Sequence, residues 1–133
     1  PRLFGYGGED EVAFHHGDVV GKPAAMLLAA ANATVTIFHS RSGDYTSAVR
    51  SADIVVSAVG KPELLGAEYF SPGQTVIDIG LSWSERKNRF IGDVDFDAAE
   101  PVVGAITPVP GGVGSVTTAV LALHVAQAAE NNT

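Results

Sequence analysis

The sequence predicts an α/β protein of three layers, in which helices cover both faces of a doubly wound and mainly parallel sheet. Short apolar runs rich in β-branched residues alternate with helix-like segments at a spacing of roughly 20 residues, which is typical of strand, helix, strand units. The chain has 133 residues, 46% of them hydrophobic and 17% charged, which is enough apolar material for one core. We therefore expect residues 1–133 to form a single domain.

Five segments are expected to be strands because they are short, apolar and rich in β-branched residues. They span residues 12–14, 34–38, 53–59, 75–79 and 102–106. The third is apolar almost throughout, which is typical of a central strand buried on both faces. Residues 1–10 contain three glycines and show no periodicity, so we expect an irregular lead-in before the first strand.

Helices are expected between the strands, at residues 23–31, 45–51 and 62–70. Two of them begin at Pro23 and Pro62, and proline is tolerated in the first turn because its missing N–H would lack a partner there. A last helix is expected at 115–130, with Ser115 as its N-cap. Its apolar stripe comprises Val116, Ala119, Val120, Leu123 and Ala126.

Residues 82–92 carry four charges and no clear period, so we expect an exposed loop or a hairpin there. The strands and helices alternate, and crossovers between parallel strands are right-handed. Together the elements predict a Rossmann-like domain.

Charge balance and the absence of cysteine exclude several classes of function. Lys and Arg total 8 against 15 Asp and Glu, a net charge of -7, so nucleic acid is not an expected partner. Without cysteine there is no disulfide or thiolate metal site, and we expect a cytoplasmic protein. No apolar run approaches the roughly 20 residues of a membrane span, so no membrane partner is expected. The chain begins at Pro1, which we interpret as the start of a processed product or of a fragment.

Ligands of an open parallel sheet bind at the carboxyl ends of its strands, so the loop after the first strand is a candidate site. It contains His15, His16, Gly17 and Gly21. The glycines would let the backbone approach a pyrophosphate, whose charge the start of the next helix would stabilise. A plain helix-entry turn explains the same glycines, and both interpretations stay open. Neighbouring residues on a strand point to opposite faces, so the two histidines predict no metal site.

The turn after the second strand contains His39, Ser40, Arg41 and Ser42. An NAD site usually places a carboxylate here for the ribose 2′-hydroxyl, whereas the 2′-phosphate of NADP needs hydrogen-bond donors and positive charge. The turn offers two hydroxyls, an Arg and an imidazole, with Asp44 the nearest carboxylate. It therefore favours NADP, and a solvated turn is the alternative.

Two further loops are candidates at the same edge of the sheet. Val59 and Gly60 form a tight turn after the third strand. Alternatively, the glycine is present only because the turn requires backbone angles that glycine adopts easily. Residues 107–115 place two prolines and three glycines between the last strand and the last helix. Such a loop is rigid and presents N–H groups at a helix start, which suits a ligand contact.

These segments resemble the NADP-binding domain of the bifunctional methylenetetrahydrofolate dehydrogenase/methenyltetrahydrofolate cyclohydrolases. The resemblance runs from about Val12 to Ala129 in the family's order and spacing. Its most specific part is the run TPVPGGVG at residues 107–114. It implies an enzyme that oxidises 5,10-methylenetetrahydrofolate to 5,10-methenyltetrahydrofolate by hydride transfer to NADP, and then hydrolyses that product to 10-formyltetrahydrofolate.

The resemblance also implies roles for individual residues. His15, His16 and Gly17 fall on the phosphate turn, Ser40 on the residue that meets the 2′-phosphate, and Leu81 on a backbone contact to the nicotinamide half. The other residues expected at the cofactor are Gly21, His39, Arg41, Val59, Gly60 and Gly80. Those expected on the folate side of the cleft are Pro110, Gly111, Gly112, Val113, Gly114 and Thr117.

Two departures from the family shape the functional expectation. The phosphate turn, of Gly-Arg-Ser type in the family, is His15-His16-Gly17 here. The family's catalytic Tyr-x-x-x-Lys lies in a preceding domain and does not occur in this chain, so we assign no catalytic residue. We expect the isolated chain to bind cofactor without turnover and, as in relatives, to dimerise through this domain.

Two alternatives remain at this point. The altered phosphate turn motivates a degenerate Rossmann module that acts as a binding or oligomerisation unit. A two-domain NADP dehydrogenase of the shikimate type has a similar architecture, and the run at residues 107–114 argues against it.

Overall fold

A computed structural model describes residues 10–15, 20–39 and 41–131, and of residues 10–15 the backbone alone. The lead-in expected at residues 1–10 lies outside the described residues except for Asp10, which begins the first strand. In chain order the elements are β1 (Asp10–His15), α1 (Gly21–Ala30), β2 (Thr34–Phe38), α2 (Thr46–Ser51), β3 (Ile54–Ala58), a 3-10 turn (Ala67–Tyr69), β4 (Thr75–Asp78), β5 (Ser82–Ser84), β6 (Arg89–Ile91), α3 (Phe96–Ala99), β7 (Ala105–Ile106) and α4 (Val113–Asn131).

Five strands form one sheet in the order β2-β1-β3-β4-β7, and every neighbouring pair is parallel. The predicted doubly wound parallel sheet is confirmed. From β1 the chain moves outward to β2 and then returns past β1 to β3, so the direction of winding reverses between β1 and β3. The last strand is shorter than expected, because only residues 105 and 106 pair with β4.

The core lies on both faces of β3, the middle strand, whose residues Ile54, Val55 and Val56 are at most 8% exposed. Val55 packs with residues of α2 and α3, whereas Ile54 and Val56 pack with Ala25 of α1. Because neighbouring residues of a strand point to opposite faces, α1 covers one face of the sheet, and α2 and α3 cover the other. The predicted three layers and the central position of this strand are confirmed.

The prediction of a helix at residues 62–70 is wrong, because only the 3-10 turn forms there. Glu63 has a φ of 52°, and Leu65 forms an isolated parallel bridge with Val94. The Leu65 N–H donates to the carbonyl of Asp93 at 3.0 Å. A helix would need these N–H groups for its own hydrogen bonds, so pairing with residues 92–95 holds the segment extended.

The last helix is present but differs from expectation at its start and along its face. It begins at Val113, so Ser115 is not the N-cap; its hydroxyl donates to the Gly111 carbonyl at 3.4 Å instead. No residue of α4 is buried, and the stripe residues Val116 and Leu123 are 62% and 54% exposed. The stripe is therefore not part of the core that the structure describes.

Residues 82–92 contain a hairpin, one of the two forms expected. β5 pairs antiparallel with β6, and Trp83 lies opposite Phe90. The two rings meet edge to face with centroids 5.2 Å apart, and both side chains remain about half exposed. Among the described helices, none has the length and hydropathy of a membrane span.

Candidate functional site

The carboxyl ends of the five parallel strands meet at one edge of the sheet, which we call the rim. Phe38, Phe14, Ser57 and Asp78 lie in one row across β2, β1, β3 and β4, close to the ends of these strands. The row spans about 14 Å, since parallel strands lie about 4.8 Å apart. Because the winding reverses between β1 and β3, a ligand crevice is expected at the centre of the rim.

The loop after β1 is only partly described. His15 is the last residue of β1, and its backbone pairs with Ala58 of β3, while His16 and Gly17 lie outside the described residues. Gly21 is the buried first residue of α1, and the first turn of this helix contains no acidic residue. The first turn of α1 therefore presents no opposing charge of its own to an anion at the start of the helix.

The turn after β2 is organised by its own side chains. The His39 N–H donates to the Ser42 hydroxyl at 3.0 Å, and the Arg41 N–H donates to Nδ1 of His39 at 3.1 Å. Arg41 is exposed, and Ser40 lies outside the described residues. Asp44 accepts the N–H of Thr46 at 2.9 Å, which lowers the pKa of its carboxyl. The nearest carboxylate thus stabilises the start of α2.

The turn after β3 is held by one buried carboxylate. Asp93 is fully buried and accepts hydrogen bonds from the Val59 N–H at 2.5 Å, the Lys61 N–H at 2.9 Å and the Ser57 hydroxyl at 3.1 Å. Gly60, between the two amides, has a φ of 72° and open space where a side chain would stand. Its geometry shows that this backbone conformation favours glycine and leaves room for a ligand.

A second buried carboxylate holds the end of β4. Asp78 is 3% exposed and accepts hydrogen bonds from the N–H groups of Gly80 at 2.9 Å, Val94 at 2.9 Å and Asp93 at 3.2 Å. Burial raises the pKa of Asp78 to about 6; the three N–H donors oppose this rise, and the neighbouring Asp93 adds to it. Asp78 and Asp93 together fix three segments of the rim against each other.

Beside Asp78, a cavity of about 360 Å³ opens between the end of β4 and the loop before α4. The Thr107 hydroxyl accepts the Asp78 N–H at 2.9 Å, which ties that loop to β4. Within the loop, Gly112 lies so close to the Pro108 carbonyl that a side chain there would collide with it. The residues expected at the nicotinamide half and on the folate side line this one cavity: Gly80, Leu81, Pro110, Gly111, Gly112, Val113, Gly114 and Thr117.

The expected site residues therefore fall into separate groups along the rim. Those around the cavity lie beside β4, Val59 and Gly60 follow β3, and His39 and Arg41 follow β2 at the sheet's edge. This spread is compatible with an extended dinucleotide, with one end at β2 and the other at β4. Among the described residues, no cluster of three or more His, Asp or Glu could hold a metal ion.

Sequence reasoning missed Asp78 and Asp93 as residues that organise the site. Both carry a recognisable signal, because each is a carboxylate beside apolar strand residues and near a glycine. Gly92 abuts the Asp78 carboxylate and Gly80 abuts the Asp93 carboxylate, so neither position has room for a side chain. A buried carboxylate needs several donors, and glycines give backbone N–H groups close access to it.

Over residues 5–133 the sequence matches the family described as tetrahydrofolate dehydrogenase/cyclohydrolase, NAD(P)-binding domain. The chain belongs to this family. The resemblance drawn from the sequence motifs is thereby confirmed.

Relatives of this NAD(P)-binding domain are bifunctional FolD proteins. The chain is 51% identical over 124 residues to the FolD protein of Carboxydothermus hydrogenoformans, covering 92% of this chain and 43% of that protein. Its fold matches the FolD enzyme of Campylobacter jejuni with a TM-score of 0.87 and 36% identity, over 95% of this chain and 44% of that one. The chain thus spans less than half the length of these relatives.

A further solved relative carries a ligand. The Trypanosoma brucei methylenetetrahydrofolate dehydrogenase-cyclohydrolase, solved in complex with NADP cofactor and inhibitor, is 45% identical with a TM-score of 0.74. The match covers 83% of this chain and 39% of the Trypanosoma chain.

Proposed function

We propose that this domain binds NADP along the rim, with the nicotinamide half in the cavity beside Asp78 and the adenosine half at the turn after β2. The observation that carries the proposal is the convergence of Gly80, Leu81 and the 110–117 segment on one cavity in a chain of this family. The Trypanosoma relative with bound NADP supports the choice of cofactor.

The described residues fit such a cofactor. The start of α1 carries no acid in its first turn, so the positive end of this helix suits a pyrophosphate. Gly60 leaves open space above the turn after β3. We assign the remaining phosphate contacts to His15, His16, Gly17 and Gly21, and the contact to the 2′-phosphate to His39, Ser40 and Arg41. When bound, the cofactor supplies hydride acceptance.

Selectivity for NADP over NAD is part of the proposal. Arg41 is exposed at the end of β2 and available to a phosphate. The nearest carboxylate, Asp44, is engaged by the Thr46 N–H at the start of α2. Arg41 would therefore offer a 2′-phosphate a cation at this turn.

We further propose that the domain serves a methylenetetrahydrofolate dehydrogenase/methenyltetrahydrofolate cyclohydrolase that acts on a tetrahydrofolate derivative. The chain contains no Tyr-x-x-x-Lys, so its contribution is to bind and orient the cofactor, and acid-base chemistry comes from the remainder of the enzyme. The exposed apolar side chains of α4 support a covering partner, because a solvated helix gains nothing from them.

A homodimer and a cytoplasmic location complete the proposal. The paired rings of Trp83 and Phe90 on the β5-β6 hairpin, with the 59% exposed Leu81 nearby in sequence, form an apolar surface suited to a second copy. The absence of cysteine agrees with a reducing compartment.

Calorimetric titration tests cofactor binding and its selectivity. We expect the chain to bind NADP more tightly than NAD, and Arg41→Ala to weaken NADP about tenfold while NAD changes little, since a charge-assisted hydrogen bond contributes about 1.5–3 kcal/mol. Arg86→Ala is the matched control, because Arg86 pairs with Glu63 on another part of the surface. Absence of heat at millimolar cofactor would instead favour the degenerate module.

A further inference from the structure

The cavity beside β4 has one charged residue in an otherwise uncharged wall, and the proposed function gives this charge no role. Its walls are backbone, glycine, proline, hydroxyl and aliphatic groups, and Asp78 is the one charged side chain among the described residues that line it. The carboxylate is buried, so water screens its field poorly. A ligand in this cavity therefore experiences the charge state of Asp78 more strongly than that of a surface group.

Asp78 is also fixed in place. Its two oxygens accept three backbone N–H groups, so its charge cannot move without breaking these hydrogen bonds. The Gly80 N–H bound to it immediately precedes Leu81, which also lines the cavity. The same three hydrogen bonds thus fix the position of the Asp78 carboxylate and the segment that leads to Leu81.

From this geometry we propose that Asp78 makes the cavity favour a cationic aromatic ring over its neutral counterpart, and so sets the relative affinity of the domain for oxidised and reduced cofactor. The inference rests on the proposed function, because it takes the nicotinamide ring to lie in this cavity. Oxidised nicotinamide carries one positive charge and reduced nicotinamide carries none, while the rest of the two molecules is the same.

The preference depends on pH because Asp78 titrates near the physiological range. Burial raises the pKa of Asp78 to about 6, so the carboxyl is largely neutral below this pH and anionic above it. A cation in the cavity stabilises the anion and releases a proton. The ionisable groups that face Asp78 are Asp93 on the adjoining segment and Glu63, Lys87, Arg89 and Asp97 around a smaller neighbouring cavity.

Those neighbours do not supply the same effect. Glu63 is neutralised by ion pairs with Arg86 and Lys87, and none of the five neighbours belongs to the described lining of the larger cavity. Asp97 is 75% exposed at its side chain and pairs with Lys87 at 3.5 Å. It provides a matched control, because Asp97→Asn removes one negative charge close by without touching the cavity wall.

The test is calorimetric titration of this chain with NADP⁺ and with NADPH between about pH 5.5 and about pH 7.5, in two buffers of different ionisation enthalpy. We expect the affinity for NADP⁺ relative to NADPH to rise about threefold across this range, because the ionised fraction of Asp78 rises and one partly screened charge pair is gained. At about pH 6, NADP⁺ should release about half a proton more than NADPH. The 2′-phosphate titrates in the same range, but it is common to both ligands and cancels in the comparison.

Two variants complete the experiment. Asp78→Asn should abolish the pH dependence of the NADP⁺ to NADPH ratio and the excess proton release, whereas Asp97→Asn should behave as wild type. If Asp78→Asn does not fold, the comparison of the two ligands on wild type decides alone. Binding of both ligands with no pH-dependent preference overturns this inference and leaves the proposed function standing, whereas no binding of either overturns both.

Discussion

Two buried carboxylates organise the rim of this domain, each through its own three donors. Asp93 holds the turn after β3, and Asp78 holds the end of β4 together with the segment that contains Asp93. A buried charge is costly unless hydrogen bonds compensate it, so these residues fix the backbone around them. The cavity beside β4 depends on this arrangement, because Gly80 and Leu81 belong to the segment that Asp78 holds.

Titration of Asp78 should give the folding stability a specific pH dependence. Its pKa in the folded state, about 6, lies above the ordinary value of 3.8 for the unfolded chain. The unfolded chain therefore ionises first as pH rises, and the contribution of Asp78 is fully present below the ordinary value and lost as pH passes through about 6. We expect this contribution to be about 3 kcal/mol.

Urea unfolding of wild type and Asp78→Asn across this range measures the contribution. As pH rises through about 6, the free energy of unfolding of wild type should fall relative to that of Asp78→Asn, whatever the absolute stability of the variant. Glu63 and Asp44 have lowered pKa values and act with the opposite sign in both proteins, so they cancel in the difference. Parallel pH profiles for the two proteins would contradict the assignment.

The glycines that face the carboxylates should tolerate no side chain. A Cβ at Gly92 would collide with the Asp78 carboxylate, and one at Gly80 with that of Asp93. We expect Gly92→Ala and Gly80→Ala each to lower the free energy of unfolding by about 1–3 kcal/mol. Gly114→Ala is the control, since nothing lies within 4 Å of its added Cβ and the residue is helical. Equal stability of all three variants would show that the close approach is not real.

At the scale of elements, the strands and the helices α1, α2 and α4 were predictable, whereas α3 and the conformation of residues 62–70 were not. The periodicity of β-branched residues located all five parallel strands, because burial on both faces of a central strand leaves a clear apolar pattern. The prediction of a helix at residues 62–70 was wrong because proline and local propensity indicate a helix there. In the structure, Leu65 instead pairs with Val94 from a distant part of the chain. No local pattern reports a contact of that kind.

Gln74 joins two elements and should be essential for their packing. Its buried amide donates from Nε2 to the carbonyls of Val49 at 2.6 Å and Ala52 at 2.7 Å, which ties the end of α2 to the start of β4. We expect Gln74→Leu to reduce the free energy of unfolding by about 2–4 kcal/mol, since it leaves buried carbonyls without donors.

Ser51→Ala is the matched control for Gln74. It removes an exposed hydroxyl that donates to the Ala48 carbonyl within the same helix, and we expect a change within about 0.5 kcal/mol. Equilibrium urea unfolding gives both values. A loss at Gln74 no larger than that at Ser51 would disprove the bridging role.

At the scale of the whole molecule, the core around β3 is buried, whereas the apolar helix α4 is exposed to solvent. The sequence predicted the helix α4 correctly, but the apolar stripe expected along it does not pack on the core that the structure describes. Similarly, glycine and proline located the loop at residues 107–115, while the two carboxylates that shape the rim required the coordinates. Hydrogen bonds between distant segments leave no periodic signal in the sequence.

Polar substitution on α4 should not harm folding of the domain. We expect Val116→Glu with Leu123→Glu to leave the free energy of unfolding within about 0.5 kcal/mol of wild type and to reduce binding of an apolar fluorescent dye. Val55→Ala, at a fully buried position, should cost about 2 kcal/mol in the same assay. A large loss of stability from the α4 variant would show that the helix packs on the domain's own core.

The central claim is that the rim binds NADP, and amide chemical shifts measured by NMR during an NADP titration test it most directly. We expect shifts at Gly60, Gly80, Leu81 and Gly111 to Gly114, which lie along the rim, and none at Trp83 or Phe90 in the hairpin beyond small propagated changes. Saturating shifts confined to these rim residues would confirm the account. Shifts confined to other faces, or no shifts at millimolar NADP, would contradict it.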